Sequence, residues 1–208
     1  MRITILPLAF FIAAYIFLST CNTAFAQDAT PSAHQVDIGY SKIHPASPFY
    51  FLKAVREKLE MEFAQTYRVK MLRHLEFATR RLREVKTLLS INQTELVPPT
   101  LERYAAHLKE ITDKPKKNDP FLSLMQNNLN THIKTLEEIY YKTTDPRAKL
   151  FLRSTMNRMI QRADVQIDDK LPICHLFAKE STGSADLNET EKAVLLNRSK
   201  LCFEPGKI

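Results

Sequence analysis

Few residues in this 208-residue chain have the type and spacing that a catalytic or metal-binding site requires. The pairs Glu137-Glu138 and Asp168-Asp169 offer neighbouring carboxylates for acid–base work, and Cys174-His175 offers a thiol beside an imidazole. Neighbours on a helix point about 100° apart, so neither carboxylate pair converges on one substrate. The base of a cysteine nucleophile normally comes from elsewhere in the fold. These pairs therefore predict no catalytic site.

The histidines and cysteines also lack the spacing of metal ligands. Neither His-x-x-x-His nor Cys-x-x-Cys occurs, although the chain has six histidines and three cysteines. A Gly-rich phosphate loop is absent as well, and the whole chain holds three glycines. We therefore expect no metal, no cofactor and no enzymatic activity.

Two charged pairs have helical spacing, Lys53 with Glu57 and Arg81 with Glu84. They could form a functional charge cluster or an ion-pair network between two helices. Charges on paired helices more often set the helix register than catalyse, so the network is the favoured interpretation. Tyr50 is expected to be a core aromatic residue with its hydroxyl at the rim.

Basic residues are concentrated on two predicted helices. Between Tyr67 and Lys86, seven basic residues stand against two acidic ones, and the run from Pro146 to Ala163 has no acidic residue. One-signed helices suggest an anionic contact, unless carboxylates on neighbouring helices such as Glu137 and Glu138 neutralise them. The candidate contacts are Arg80, Arg81, Arg83, Lys86, Arg147, Arg153, Arg158 and Arg162.

The first 26 residues predict export. Arg2 is followed by an apolar run from Ile3 to Leu18, and the small-x-small pattern at Ala24 to Ala26 places signal-peptide cleavage between Ala26 and Gln27. A second interpretation takes Leu18 to Cys21 as a lipoprotein box, and a third retains the segment as a span. The apolar run would cover roughly 24 Å of a roughly 30 Å hydrocarbon core, which disfavours the span. An extracytoplasmic location follows.

The remainder of the chain reads as consecutive helices. Glycine is scarce, tryptophan is absent and a quarter of the residues are charged. Ser-Pro and Asp-Pro steps mark helix starts, as does Asn188 with Glu191 three residues later. We predict an all-α fold, an antiparallel bundle of long helices with a small C-terminal helical hairpin. The expected helices span 48–64, 67–90, 99–112, 120–142, 146–168, 172–181 and 189–202.

Four regions follow from this pattern: a signal peptide over 1–26, an exposed leader over 27–46, the bundle over 47–168 and the hairpin over 169–208. Apolar residues three or four apart predict which helix faces are buried. The predicted inner faces are Phe49, Leu52, Val55, Leu59 and Phe63 in the first helix, Met125, Leu129, His132, Leu136 and Ile139 in the fourth, and Ala148, Leu152, Thr155, Met159 and Ala163 in the fifth.

The stretches "SPFYFLKAVREKLEMEF" and "ATRRLREV" carry a recognisable pattern. A Pro and a Tyr precede Leu-Lys, a Glu follows four residues later, and Ala-x-x-Arg-Leu-x-Glu lies on the next helix. The pattern resembles the bacterial extracytoplasmic family called domain of unknown function 5667, most closely over about 44–90 and less closely to about 165. The matching positions are Pro48, Tyr50, Lys53, Glu57, Ala78, Arg81, Leu82 and Glu84.

The resemblance implies a helical domain outside the membrane, sometimes attached to anchored proteins similar to anti-sigma regulators, and it implies no activity. Family members usually carry Asp-Pro near the turn between the first two helices, where this chain has "AQTYRVK". Residues 48–90 could therefore be two helices or one long rod.

Two classes of function follow. The first is an exported, non-enzymatic envelope protein that acts as an interaction or sensing module for an anionic lipid surface, an anionic envelope polymer or a partner protein. No nucleic acid is expected as a partner, because an exported protein meets lipid headgroups and wall polymers first. The alternative is a holdase-like periplasmic chaperone.

Cys174 and Cys202 are predicted to form one disulfide that closes the C-terminal hairpin. Once Cys21 is removed or lipidated, they are the only thiols left, and a loop of this length adds about 3 to 4 kcal/mol of stability in the chain-entropy model. Thiol counting on unfolded, unreduced protein should find no free thiol. Two free thiols would indicate a reactive or metal-bound Cys174 instead, and a reducible dimer would indicate a bridge between chains.

Overall fold

A computed structural model describes residues 37–111 and 120–203 of the chain. Within these ranges the fold has no strand, and no helix is long and apolar enough to cross a bilayer. The α-helices are α1 (Tyr50–Glu62), α2 (Tyr67–Ser90), α3 (Val97–Glu110), α4 (Pro120–Lys142), α5 (Pro146–Ile160), α6 (Ile167–Gly183) and α7 (Glu189–Lys200), and a 3₁₀ helix, Thr94–Leu96, precedes α3. The predicted all-α helical bundle is confirmed.

The predicted signal peptide, its cleavage point at Ala26-Gln27 and Cys21 lie outside the described residues.

Side-chain caps explain several of the helix starts. The Asp145 carboxylate accepts the backbone N–H groups of Arg147 and Ala148 at 3.2 and 3.0 Å, so α5 begins at the predicted Asp-Pro step. Asn188 and Glu191 form a complete capping box at the start of α7. Thr66 caps α2 through Val69 N at 3.3 Å, which ends the possibility of one rod over 48–90.

Two predicted boundaries are wrong by more than two residues. Helix α5 ends at Ile160 rather than 168. Arg162, just after this end, donates to the carbonyl oxygens of Leu108 and Ile111 at the end of α3. Ala163 is therefore outside the helix and exposed, not on its inner face. Helix α6 begins at Ile167 rather than 172, with Asp168 and Asp169 in a first turn that favours negative charge, and it contains Pro172.

The core runs through α2 to α6. Helix α2 packs on α3 and α4, α3 packs on α5, and α4 packs on α5 and α6. The inner face predicted for α4 is confirmed, since all five of its residues are buried, as are Ala148, Leu152, Thr155 and Met159 of α5. The largest side chains that are fully enclosed include Phe77, Tyr104, Tyr140 and Phe177.

Helix α1 contradicts its predicted packing. None of its residues is buried, and the side chains expected in the core point to solvent, with Phe63 80% exposed, Phe49 60% and Leu59 52%. Leu52 and Val55 are also about half exposed. The prediction assumed that the apolar stripe of an amphipathic helix faces inward. Here the charged stripe faces inward instead.

The segment before α1 differs from the exposed leader that was expected over 27–46. Ile38 is buried, Ser41 N donates to Thr87 Oγ1 at 2.8 Å, and Asp37 lies 2.5 Å from the buried Lys86 ammonium. The hydrogen bond from Lys86 holds the pKa of Asp37 below its usual value. Residues 37–41 are therefore fastened along α2.

Helices α6 and α7 form the C-terminal hairpin. Cys174 in α6 and Cys202 just after α7 lie with their Cα atoms 6.3 Å apart, within the range that disulfides span. The hairpin also contributes Ile173 and Phe177 to the core that it shares with α4 and α5.

A buried histidine lies at the centre of the bundle. His132 Nε2 is 2.8 Å from Thr79 Oγ1, and its Nδ1 is 3.4 Å from the Tyr104 hydroxyl. Because the Thr79 hydroxyl donates to the Leu75 carbonyl oxygen, the Nε2–H tautomer satisfies both ring nitrogens of the neutral form. Burial lowers the pKa of His132 to about 3.

Stability should fall as the pH drops below 6.5. The unfolded chain protonates His132 near pH 6.5 and the folded chain only near 3, so the unfolded state binds more protons between these values. The free energy of unfolding in urea should lose about 2 kcal/mol through this residue between pH 7 and pH 5. The variant His132→Gln should flatten the profile by that amount, and an unchanged slope would contradict the assignment.

Candidate interaction site

Helix α1 is attached to the bundle by a buried ion-pair network of Tyr50, Lys53, Glu57, Arg81 and Glu84. The Glu84 side chain is fully buried, and it accepts Arg81 Nη1 at 2.8 and 2.9 Å and Lys53 Nζ at 2.5 Å. The second guanidinium nitrogen of Arg81 contacts both oxygens of Glu57. The network thus holds two cations and two carboxylates and is electrically balanced.

Tyr50 joins the network to a third helix. Its hydroxyl donates to Glu84 Oε2 at 3.2 Å and accepts from Arg81 Nη1 and, at 2.9 Å, from Arg103 Nη1 on α3. Burial, together with the Glu84 carboxylate, raises the pKa of the phenol. Burial likewise raises the pKa of Glu57, against the effect of Arg81. Tyr50 therefore stays protonated and connects α1 to both α2 and α3.

The structure brings together five of the eight residues of the predicted motif. Tyr50, Lys53 and Glu57 come from α1, and Arg81 and Glu84 come from α2. Ala78 and Leu82 lie in the hydrophobic core of α2, and Pro48 is exposed just before α1. The inter-helix network interpretation of the charged pairs therefore agrees with the contacts.

Sequence reasoning missed two members of this region. Arg103 reaches Tyr50 from α3, and Glu60 lies 3.0 Å from Arg80 at the edge of the network. The position of Glu60, three residues after Glu57, was a usable signal, whereas nothing in the sequence separates Arg103 from other exposed arginines.

The apolar side of α1 faces away from the network. We call Phe49, Phe51, Leu52, Val55, Leu59 and Phe63 the outer face of α1. All six side chains are at least half exposed. Helical spacing places Arg56 and Lys58 at the two edges of this face, with Glu62 as its one exposed carboxylate in α1.

Most of the cations predicted to contact an anion have partners inside the bundle. Arg153 donates to the Tyr140 hydroxyl at 3.1 Å, and Arg162 Nη2 lies 2.5 Å from Asp164. Lys86 lies 3.3 Å from Glu138, one of the carboxylates considered as a neutralising neighbour. The engaged cations are Arg80, Arg81, Lys86, Arg153 and Arg162.

The remaining three candidates are exposed. Arg147 and Arg158 lie at the surface of α5, and Arg83 lies on α2 beside the 37–46 segment, where its Nε donates to the Ile38 carbonyl oxygen. The structure therefore does not form one basic stripe from the two helices.

Comparison with known proteins identifies a family. The family described as Domain of unknown function (DUF5667) matches residues 42–146, which include helices α1 to α4 and the network. No curated protein sequence and no solved structure matches this chain.

Loss of charge at Glu84 should release α1. In Glu84→Gln the ammonium of Lys53 and the guanidinium of Arg81 lose their shared buried carboxylate, and breaking such a pair costs about 3 to 5 kcal/mol. Since α1 buries none of its residues, hydrogen exchange of its amides should accelerate by at least about 100-fold, while α4 keeps most of its protection.

The matched control is Arg56→Gln, which removes an exposed pair with Glu60 on the same helix. This variant should leave α1 protected. Equal protection of α1 in wild type and Glu84→Gln would show that the network does not hold the helix.

Proposed function

The chain belongs to the family described as Domain of unknown function (DUF5667), and we propose that it is an exported interaction module that docks on an anionic membrane surface. The docking element is the outer face of α1. One observation carries the proposal: α1 is fastened by its charged side, which leaves three phenylalanines, two leucines and a valine open to solvent.

The size of the outer face supports a binding role. At ~200 Å² for a phenylalanine and somewhat less for leucine and valine, the exposed parts of the six side chains amount to roughly 600 Å². The largest apolar patch on a typical monomer is about 300 to 600 Å² and is often functional. This apolar surface stays exposed because the network holds α1 by its opposite, charged side.

The charges at the edges favour an anionic bilayer over a second copy of the chain. Arg56 and Lys58 lie on opposite edges of the outer face, and Lys42 is exposed nearby in the preceding segment. Arg56 and Lys58 outnumber Glu62, so two copies that met through this face would bring together two surfaces of net positive charge. An anionic bilayer instead accepts the apolar side chains at the acyl boundary and the cations at the headgroups.

A holdase-like chaperone is the second candidate, and the same exposed outer face favours it. Apolar side chains on a charged, soluble bundle could hold unfolded clients. The distinction is that a chaperone would suppress client aggregation in the absence of any lipid.

Vesicle flotation tests the proposal. The wild-type protein should float with vesicles of phosphatidylglycerol and phosphatidylcholine and not with phosphatidylcholine alone. The triple variant Phe51→Ser, Leu59→Ser, Phe63→Ser should bind at least tenfold more weakly, because it removes apolar area that would insert. Its melting should not fall, since the three side chains are exposed in the free protein.

The matched control removes exposed apolar residues elsewhere. Leu150→Ser, Val194→Ser, Leu196→Ser changes three side chains that are about half exposed on α5 and α7. This variant should float like wild type. Equal flotation of both triple variants would contradict docking through α1, and stoichiometric protection of an aggregating client without vesicle binding would favour the chaperone.

A further inference from the structure

A basic cleft lies beside the outer face of α1. It has a volume of about 450 Å³, within the range of about 300 to 1,000 Å³ typical of small-molecule sites. Its walls come from the 40–43 segment, α1 and α2. Of the ten described residues that line it, five are cationic and one is a carboxylate; they are Tyr40, Ser41, Lys42, Ile43, Leu52, Lys53, Arg56, Glu76, Arg80 and Arg83.

Two of the five cations hold the walls together. Lys53 donates to Glu84 at 2.5 Å, to the Ile43 carbonyl oxygen at 3.3 Å and to Ser41 Oγ at 3.4 Å, so all three of its protons are used. Arg80 contacts three carboxylates, including Glu76 at 2.5 Å and Glu60 at 3.0 Å. These side chains fix the shape of the cleft.

The other three cations keep free donors. Lys42 is exposed and has no hydrogen bond or ion pair with the described residues. Arg56 and Arg83 each use Nε, for Glu60 and for the Ile38 carbonyl oxygen, and their terminal guanidinium nitrogens make no hydrogen bond to another described residue. Three cationic groups with spare donors, from three chain segments, therefore line one space, and guanidinium groups suit phosphate oxygens.

The cleft also touches the apolar surface. Leu52 belongs both to the cleft lining and to the outer face of α1, and Ile43 and Tyr40 add apolar area to the wall. A ligand that fills this site would carry an anionic group next to an apolar one. A free phosphate would leave the apolar wall uncovered.

From this arrangement we infer that the basic cleft binds the phosphate headgroup of an anionic phospholipid, with Lys42, Arg56 and Arg83 as the contacting residues. The inference rests on the proposed docking of α1, which would bring headgroups to the height of the cleft. It gives the module a preference among lipids that exposed cations alone would not give.

The test uses soluble lipid, so that it does not depend on vesicle docking. Dihexanoyl-phosphatidylglycerol, kept below its micelle-forming concentration, is titrated into the processed protein while amide shifts of Lys42, Ile43 and Arg83 are followed by NMR. Dihexanoyl-phosphatidylcholine and inorganic phosphate are titrated in parallel. We expect saturable shifts with phosphatidylglycerol and at least tenfold weaker binding of the other two.

Charge-matched variants locate the site. Lys42→Gln, Arg56→Gln, Arg83→Gln should weaken phosphatidylglycerol binding at least tenfold. The control Lys134→Gln, Arg147→Gln, Arg158→Gln removes the same charge from exposed positions on α4 and α5 and should change it less than twofold. Equal weakening by both variants, equal binding of inorganic phosphate or of phosphatidylcholine, or no shift at the cleft would overturn the inference.

The two proposals can fail separately. Saturation of the cleft by soluble lipid in a protein that does not float with vesicles would support the headgroup site and contradict membrane docking. Flotation that depends on the outer face of α1, with no effect of the cleft variant beyond its control, would support docking and overturn the headgroup site.

Discussion

The burial of Glu84 is the constraint that determines how α1 packs on α2. A carboxylate that is closed off from water must be paired, and here its partners are Arg81 on the same helix and Lys53 on another. The need to supply that second cation pulls the polar side of α1 onto α2. Because α1 has one polar side and one apolar side, the same contact leaves the apolar side in solvent.

The interactions that stabilise the bundle therefore differ from those that position α1. Helices α2 to α6 obtain their stability from buried apolar side chains, whereas α1 is positioned by ion pairs and a tyrosine hydroxyl. A buried ion pair adds little net stability compared with apolar packing, but it fixes geometry, since removal of one partner is costly. The network thus holds α1 in place with its apolar side exposed, whereas hydrophobic packing would bury that side.

Much of the fold could be predicted from the sequence. Asp145 and Asn188 located helix starts, and the spacing of Met125, Leu129 and Leu136 identified a buried face correctly. The side of α1 that faces the bundle could not be predicted this way, because its apolar stripe and its charged stripe are equally regular. Which stripe faces inward depends on the surface that α1 packs against. The buried Glu84, which attracts the charged stripe, lies 31 residues after Lys53. Likewise, the one-signed runs on α2 and α5 do not reveal that Asp37, Glu57 and Glu180 lie beside their cations.

The orientation of α1 decides whether its apolar side is available for docking, and a spin label at position 59 reports this orientation directly. In Leu59→Cys protein that begins at Gln27 and is labelled with a nitroxide, the label should be mobile and accessible to a water-soluble nickel relaxant in solution. On addition of phosphatidylglycerol vesicles it should lose nickel access and gain access to oxygen, as a side chain at the acyl boundary does. A label that is immobile and shielded from nickel in the free protein would place the apolar side of α1 against the bundle and contradict this orientation.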